Sequence, residues 1–249
     1  MALMIRNTDP SAEDTNQSLN KKGFSETILL IPTLNEADAI ASLVAESREC
    51  GFIRILVVDG FSTDRTKEAA EAAGALVRSQ EFGRGKGCGV RTGMKIFLQD
   101  GAGYLCMMDG DGTNIPSHLM EMVRVAEARK AEVVLGSRIR GKRSPHAMNA
   151  LTYVANLIIS FMLGAKFGRL FTDVQTGYWV FTRDAVKKIY PLIRSTGFEI
   201  EMEIFVTILK QKLRVCEVPV GFRVRKGRTK FSFLLRLRNI YYALGYLVY

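Results

Sequence analysis

The sequence predicts an α/β fold, a mostly parallel, Rossmann-like sheet flanked by helices, and three observations carry that prediction. Short apolar, β-rich runs alternate with stretches of helical periodicity through the first half of the 249-residue chain. Their spacing suits right-handed crossovers between parallel strands. The β-rich runs end in four polar loops, IPTLNE, VVDGFSTD, MMDGDG and LGSR. The carboxyl ends of parallel strands form one edge, and ligands of such sheets bind there.

The elements follow in order. TILLIP (27–32) reads as a strand and NEADAIASLVAESREC as a helix. RILVVD (54–59) is a second strand, followed by a helix in TDRTKEAAEAAG that Gly74 closes. ALVRS is a short third strand, and a helix follows GRGKG to about Gln99. YLCMMD (104–109) is the next strand; Pro116 stands near the start of the helix after it. EVVLGS (132–137) is another strand. In the second half, 147–164 is helical and apolar, with Asn149, Thr152, Asn156 and Ser160 as an uncharged polar stripe. TGYWVF and LRVCEVPVGF read as strands and FEIEMEIFVTILKQ as a helix. No internal repeat or interdomain linker interrupts the chain.

Composition narrows the function classes. The formal charge is +10, and it is concentrated. Between Lys210 and Arg238 ten Lys/Arg face a single acid, Glu217, and RIRGKR adds Arg138, Arg140, Lys142 and Arg143. Such focused charge suits a phosphorylated ligand, an anionic membrane surface or nucleic acid. The four cysteines form no C-x-x-C and the two histidines no H-E-x-x-H, which points away from zinc and towards a reducing, cytosolic compartment. Residues 1–26 lack a signal-peptide core and are expected to form a loose tail. No charge-free apolar stretch reaches the roughly 20 residues of a spanning helix.

The motifs narrow them further. GRGKG lacks the Ser or Thr that a Walker loop places after G-K, and the loop after the first strand, IPTLNE, carries no G-x-G-x-x-G. Asp109 and Asp111 in MDGDGTNIP are not an EF-hand, since Asn114 stands where glycine is needed and Met120 where glutamate is needed. They are either a tight acidic turn or a pair of oxygen ligands. At a strand's carboxyl end, two adjacent carboxylates repel unless a cation neutralises them, and Mg²⁺ or Mn²⁺ takes one or two carboxylates plus substrate phosphates. Gly110 would let a bulky ligand approach the backbone. Asp59 could bind a nucleoside edge or end its strand, and Glu36 could bind a nucleoside or sit in a first helical turn.

From about Thr27 to Phe231 the chain resembles family 2 glycosyltransferases of the GT-A fold, most nearly the polyprenyl-phosphate (dolichyl-phosphate) hexosyltransferases. The resemblance rests on IPTLNE, VVDGFSTDRT, GKGCGVRTG, MDGDGTNIP, VVLGSR, TDVQTGYWVF, GFEIEMEI, VPV and RKGRTKF in the family's order. It implies a glycosyltransferase domain over 27–230, with 147–164 an interfacial or a core helix, and an amphipathic aromatic and basic helix over 231–249. It places Pro32, Leu34, Glu36 and Asp59 at the nucleoside and Lys86 at the donor diphosphate. Asp109, Gly110 and Asp111 fall at the metal and diphosphate, with Mg²⁺ or Mn²⁺ as cofactor. Arg138, Arg225 and Lys230 fall at the acceptor phosphate, and Asp173 and Gln175 near the sugar. Glu199 and Glu201 match an F-E-x-E segment of open role.

Three positions depart from the pattern of dolichyl-phosphate mannose synthases: Thr113 for a glutamine, Met148 for an arginine, and Thr229 for a serine. The reaction implied is a single inverting displacement, in which a lipid phosphate attacks C1 of a nucleotide sugar at the cytoplasmic face of a membrane. The donor could be GDP-mannose, UDP-glucose or UDP-GlcNAc. The rivals are a transferase with a soluble phosphorylated acceptor, a basic nucleic-acid-binding module and a non-catalytic membrane adaptor. The nucleic-acid reading gives the acidic loops no task, and no nucleic-acid partner is expected.

Overall fold

A computed structural model describes residues 26–227 together with Tyr241, Tyr242 and Gly245. Residues 1–25, Lys230 and most of the helix expected over 231–249 lie outside the described residues. The strands are β1 (Thr27–Thr33), β2 (Arg54–Asp59), β3 (Leu76–Ser79), β4 (Tyr104–Met107), β5 (Val133–Ser137), β6 (Trp179–Thr182) and β7 (Val215–Pro219). The helices are α1 (Ala37–Glu49), α2 (Thr66–Ala72), α3 (Lys86–Gln99), α4 (Pro116–Ala128), α5 (Ala150–Lys166), α6 (Arg183–Ile189) and α7 (Ile200–Lys210).

The seven strands of the described residues join one sheet in the order β3-β2-β1-β4-β6-β5-β7. Neighbours pair in parallel except at β6, which runs antiparallel to both β4 and β5. The reversal of β6 has a functional consequence. Its amino end meets the carboxyl ends of the other strands, with Trp179 in register with Met107 on one side and Leu135 on the other. The segment 173–178 is thereby delivered to the edge that carries the acidic loops.

The central strands are apolar on both faces because helices cover both. Ile28 and Leu30 of β1 face a cluster with Val90, Met94 and Phe97 of α3 and Ile204 of α7. Leu29 and Ile31 face the other side, against Ile40 and Leu43 of α1 and Leu119 and Val123 of α4. Tyr242 packs against the first of these clusters.

Local signals set the helix ends. Pro116 opens α4 at a position where its missing N–H costs nothing. Asn149 caps α5, its side-chain oxygen accepting from the Thr152 N–H at 2.8 Å. Thr182 caps α6 in the same way at 3.3 Å. The helix α6 is absent from the sequence reading, although Thr182-Arg183-Asp184 carries a cap and an acidic first turn.

Candidate active site

The loops that follow β1 to β4 surround a cavity of about 350 Å³. Pro32 lines it at the end of β1 and Leu34 and Glu36 just after, Gly60 after β2, Gln80 after β3, and Asp109, Gly110 and Asp111 after β4. Lys86 at the start of α3, Phe198 and Arg225 complete the wall.

Lys86 stands between two carboxylates. Its Nζ lies 2.5 Å from Asp109 Oδ1 and also contacts Glu201 Oε1. Burial works against the ammonium charge, but Asp109 and Glu201 outweigh it and hold Lys86 well above the usual lysine range. Burial likewise pushes Asp109 up, and Lys86 reverses this and keeps it below the usual carboxylate range. Burial wins at Glu201, whose carboxyl is raised. The glycines around Lys86 do more than loosen a loop. A Cβ on Gly85 or Gly87 would stand 2.3 Å from the carbonyl oxygen of Thr196 or Ser195, and Gly85 has φ of +117°. The loop ahead of α7 lies directly on the start of α3, which brings Phe198 and Glu201 to Lys86.

Asp111 is held from both sides. Oδ1 accepts from the Thr113 hydroxyl at 2.6 Å and from its N–H at 3.1 Å. Oδ2 accepts from Arg225 Nη1 at 2.6 Å, while Arg225 Nη2 donates to Glu36. Thr113, a departure from the family pattern, therefore orients one of the two aspartates. The sequence reading grouped Arg225 with Arg138 at the acceptor phosphate. The structure places Arg225 on the cavity wall with Asp111 and Glu36, because the segment after β7 crosses back over the β4 loop: Arg223 N–H donates to Thr113 O and Lys226 N–H to Asp111 O.

Arg138, after β5, is gripped by buried Asp173. Its Nε and Nη2 donate to the two carboxylate oxygens at 2.7 Å each, its N–H donates to Oδ2 at 2.9 Å, and Nη2 also reaches Gln175 O at 3.0 Å. Burial disfavours the guanidinium charge, and Asp173 more than restores it. The polar stripe of α5 holds this loop. Asn156 Nδ2 donates to Asp173 Oδ1, Ser160 Oγ donates to Asn156 Oδ1 at 3.3 Å, and Val174 N–H donates to Ser160 Oγ at 3.0 Å. Among the described residues the Gln175 side chain makes a 4.0 Å contact to Met202 Sδ. The Arg138 and Asp109 regions adjoin at Gly177, where a Cβ would come within 2.5 Å of both Asp109 carboxylate oxygens.

Asp59 does not line the cavity. It is fully buried, and its Oδ2 accepts from the Phe61 and Ser62 N–H groups at 3.0 Å each. It thus shapes the loop whose Gly60 does line the cavity, while its Oδ1 is buried without a hydrogen-bond partner among the described residues. Gln80 and Phe198 line the cavity without having been singled out in the sequence; the signal for Gln80 was its place one residue beyond β3.

Asp109 and Asp111 fit a divalent cation that completes its shell with ligand phosphates. Gly110 stands between them where a Cβ would lie 2.6 Å from the Thr33 methyl, so the turn is built for close approach. Among the described residues no third His, Cys, Asp or Glu completes a metal-binding group with them. Two carboxylates plus phosphate oxygens is the usual donor set of Mg²⁺ at a diphosphate, whereas a structural zinc site needs four protein ligands.

Sheet and site together define an α/β domain whose cleft is built around paired carboxylates and the cations that face them. The chain belongs to the family described as Glycosyl transferase family 2, which matches residues 28–190. It is 38% identical over 197 residues to the glycosyltransferase AglJ of Haloferax volcanii, covering 79% of this chain and 63% of that protein. It is 27% identical over 209 residues to the UDP-N-acetylglucosamine–dolichyl-phosphate N-acetylglucosaminyltransferase of Methanococcus voltae, covering 77% of this chain and 83% of that protein. A similar solved structure is glucosyl-3-phosphoglycerate synthase from Mycobacterium tuberculosis in complex with Mn²⁺, UDP-glucose and phosphoglyceric acid. Its TM-score is 0.73 at 17% identity, covering 92% of this chain and 83% of that one, a likeness of fold.

Proposed function

We propose that this protein transfers a hexose, with inversion, from a nucleoside-diphosphate sugar to a polyprenyl phosphate at a membrane surface. The observation that carries the reading is the adjacency of two charge centres: Lys86 with Asp109 and Asp111 on the cavity, and Arg138 with Asp173 beside it, adjoining at Gly177. The relative from Methanococcus voltae, named for a dolichyl-phosphate acceptor, supports the choice of acceptor.

In this reading Pro32, Leu34, Glu36 and Gly60 receive the nucleoside, with Asp59 setting their loop. Asp109 and Asp111 would hold Mg²⁺ or Mn²⁺, which when bound supplies Lewis-acid stabilisation to the departing diphosphate. Lys86 turns its charge to the same diphosphate, and Glu201 keeps the ammonium in place as it does so. Arg225, already between two carboxylates, exchanges them for donor phosphate oxygens. Arg138 presents the acceptor phosphate with the nitrogen that Asp173 and Gln175 leave uncommitted, and Asp173 fixes its plane. A phosphate monoester, with a second pKa of about 6, is largely dianionic at neutral pH and attacks C1 directly. The phosphate oxygen forms the new bond to C1 as the nucleoside diphosphate leaves with the old bonding pair, so no histidine base is needed.

The outer face of α5 supports the membrane assignment. Leu151, Val154, Ile158 and Phe161 are 49–61% exposed at helical spacing, while Asn156, Ile159, Ser160 and Leu163 face the core. A core face paired with an apolar outer face supports the interfacial reading of 147–164 over the core one. Among the described residues no helix is long and apolar enough to cross a membrane.

The test is turnover with Mn²⁺ across GDP-mannose, UDP-glucose and UDP-GlcNAc, each offered a polyprenyl phosphate and a soluble phosphorylated acid. A sugar-labelled, organic-extractable product is expected with one donor. Transfer to the soluble acid alone would overturn the lipid assignment.

A further inference from the structure

A second cavity, of about 600 Å³, lies beside the first site and is absent from the mechanism. Arg140, Lys142, Arg143 and Arg223 converge on it, with His118 and Phe222 in its wall. Phe222 separates it from the acceptor side, since the Arg138 guanidinium lies 5.2 Å above the same ring.

Its walls are fixed. Phe222 N–H donates to Lys142 O at 3.0 Å, Ser144 N–H donates to Phe222 O at 2.9 Å, and a Cβ on Gly141 would overlap Val220 O. The loop 141–144 is thereby bound to the segment after β7. His118 Nδ1 accepts from the Gly221 N–H at 3.1 Å, which leaves Nε2 as the ring's donor.

Positive charge here exceeds its compensation. Glu46 engages Arg223 through two 2.8 Å bonds, and Glu217 stands 3.7 Å from Arg140. Among the described residues, Lys142 and Arg143 have no acidic partner within ion-pair distance. Arg143 instead lies 4.6 Å over the ring of Tyr153 in α5. That contact joins the basic cavity to the helix whose outer face exposes Leu151, Val154, Ile158 and Phe161. A preformed cationic cavity bordering an exposed apolar helix matches one chemistry, a phosphate headgroup whose acyl chains lie beside it.

We propose that this cavity binds the headgroup phosphate of an anionic phospholipid, a lipid distinct from the acceptor, and so orients the enzyme on the leaflet. The proposal rests on the membrane-surface reading above. Two measurements on the full chain separate the two. In the first, dihexanoyl phosphatidylglycerol, kept below its micellar concentration, is titrated calorimetrically. Saturation at one lipid per chain is expected, with at least about tenfold weaker binding in Lys142→Glu, the effect of removing and reversing a charge worth about 1 kcal/mol. Inorganic phosphate is expected to bind at least about tenfold more weakly than the lipid. Absence of saturable binding, or equal binding of phosphate alone, overturns the proposal.

In the second, flotation compares neutral phosphatidylcholine vesicles with vesicles containing phosphatidylglycerol. Ile158→Glu is expected to lose binding to both kinds, and Lys142→Glu only the preference for the anionic kind. Loss of binding by Ile158→Glu with an intact anionic preference in Lys142→Glu would sink the headgroup site and leave the membrane reading standing. Unchanged flotation of Ile158→Glu would sink the membrane reading itself, and the headgroup site with it.

Discussion

The two sides of the molecule treat charge in opposite ways. Around the first cavity the acids are closed on cations of the same chain: Asp109 and Glu201 on Lys86, Asp111 and Glu36 on Arg225. Around loop 138–149 and α5, cations outnumber acids and apolar side chains face outward. The first region is complete without a ligand, so a ligand must exchange with ion pairs that already exist. The second, among the described residues, leaves cations and apolar side chains open to the external partner proposed above. A site of the first kind stays folded while empty, because each of its carboxylates already faces a cation. A surface of the second kind stays available as far as the described residues go, because Lys142 and Arg143 find no acid among them.

The largest expected effect tests the first half of that contrast. Asp109→Ala should lower kcat by about a thousandfold or more, since the metal and the orientation of Lys86 both depend on it. Asp111→Ala should be comparable in activity, and both variants should remain folded, because removing an acid relieves burial. An Asp109→Ala, Asp111→Ala double variant with ordinary turnover would show that the acid pair is structural only.

Lys86→Ala comes next, and its expected cost is in stability as well as in rate. It leaves Asp109 and Glu201 facing each other without their cation, a situation that typically costs about 3–5 kcal/mol. Mn²⁺ should restore part of that loss, since the ion can replace the missing charge at Asp109. Urea unfolding with and without the metal measures this. A variant as stable as the parent would mean that the pairs are weaker than their geometry indicates.

Much of this contrast was legible in the sequence, and the reasons it was not wholly so are physical. The strand-and-helix alternation exposed the sheet, the ends of the first and fourth strands pointed to Glu36, Asp109 and Asp111, and the family resemblance added Pro32 and Leu34. The direction of β6 was not legible, because an apolar run such as TGYWVF reads the same in either orientation. The polar stripe of α5 was visible as a pattern, but its partner, Asp173, is brought to it by folding. The contacts of Arg225 to Glu36 and Asp111 were not legible for the same reason: they span 189 and 114 residues. Periodicity alone left 147–164 open as an interfacial or a core helix, since the helix carries apolar residues on both faces.

Asn156 offers a finer test of how the two regions join. Asn156→Ala removes a buried donor to Asp173, a loss of about 1–3 kcal/mol at most. The expected signature is a rise of about tenfold in KM for the acceptor, with KM for the donor unchanged, because Asp173 orients Arg138 and not the first cavity. Equal changes in both constants would mean that α5 supports the whole sheet edge rather than the acceptor side.

The smallest effect concerns His118, which stands in the basic cavity. Burial, aided by Arg223 and opposed by Glu121, holds its imidazole below the usual histidine range. A base whose folded pKa is depressed contributes stability above its unfolded value, about 6.5. That contribution falls away as pH drops from there through the folded pKa, because the unfolded chain takes up a proton the folded one resists. Protonation would also end the acceptance from the Gly221 N–H, a bond worth about 0.5–1.5 kcal/mol. Melting temperatures at pH 7.5, 6.5 and 5.5 should therefore decline more steeply for the parent than for His118→Asn, which cannot titrate. Parallel declines would place the pH sensitivity elsewhere, and would show that the cavity's charge is set by its arginines and lysine alone.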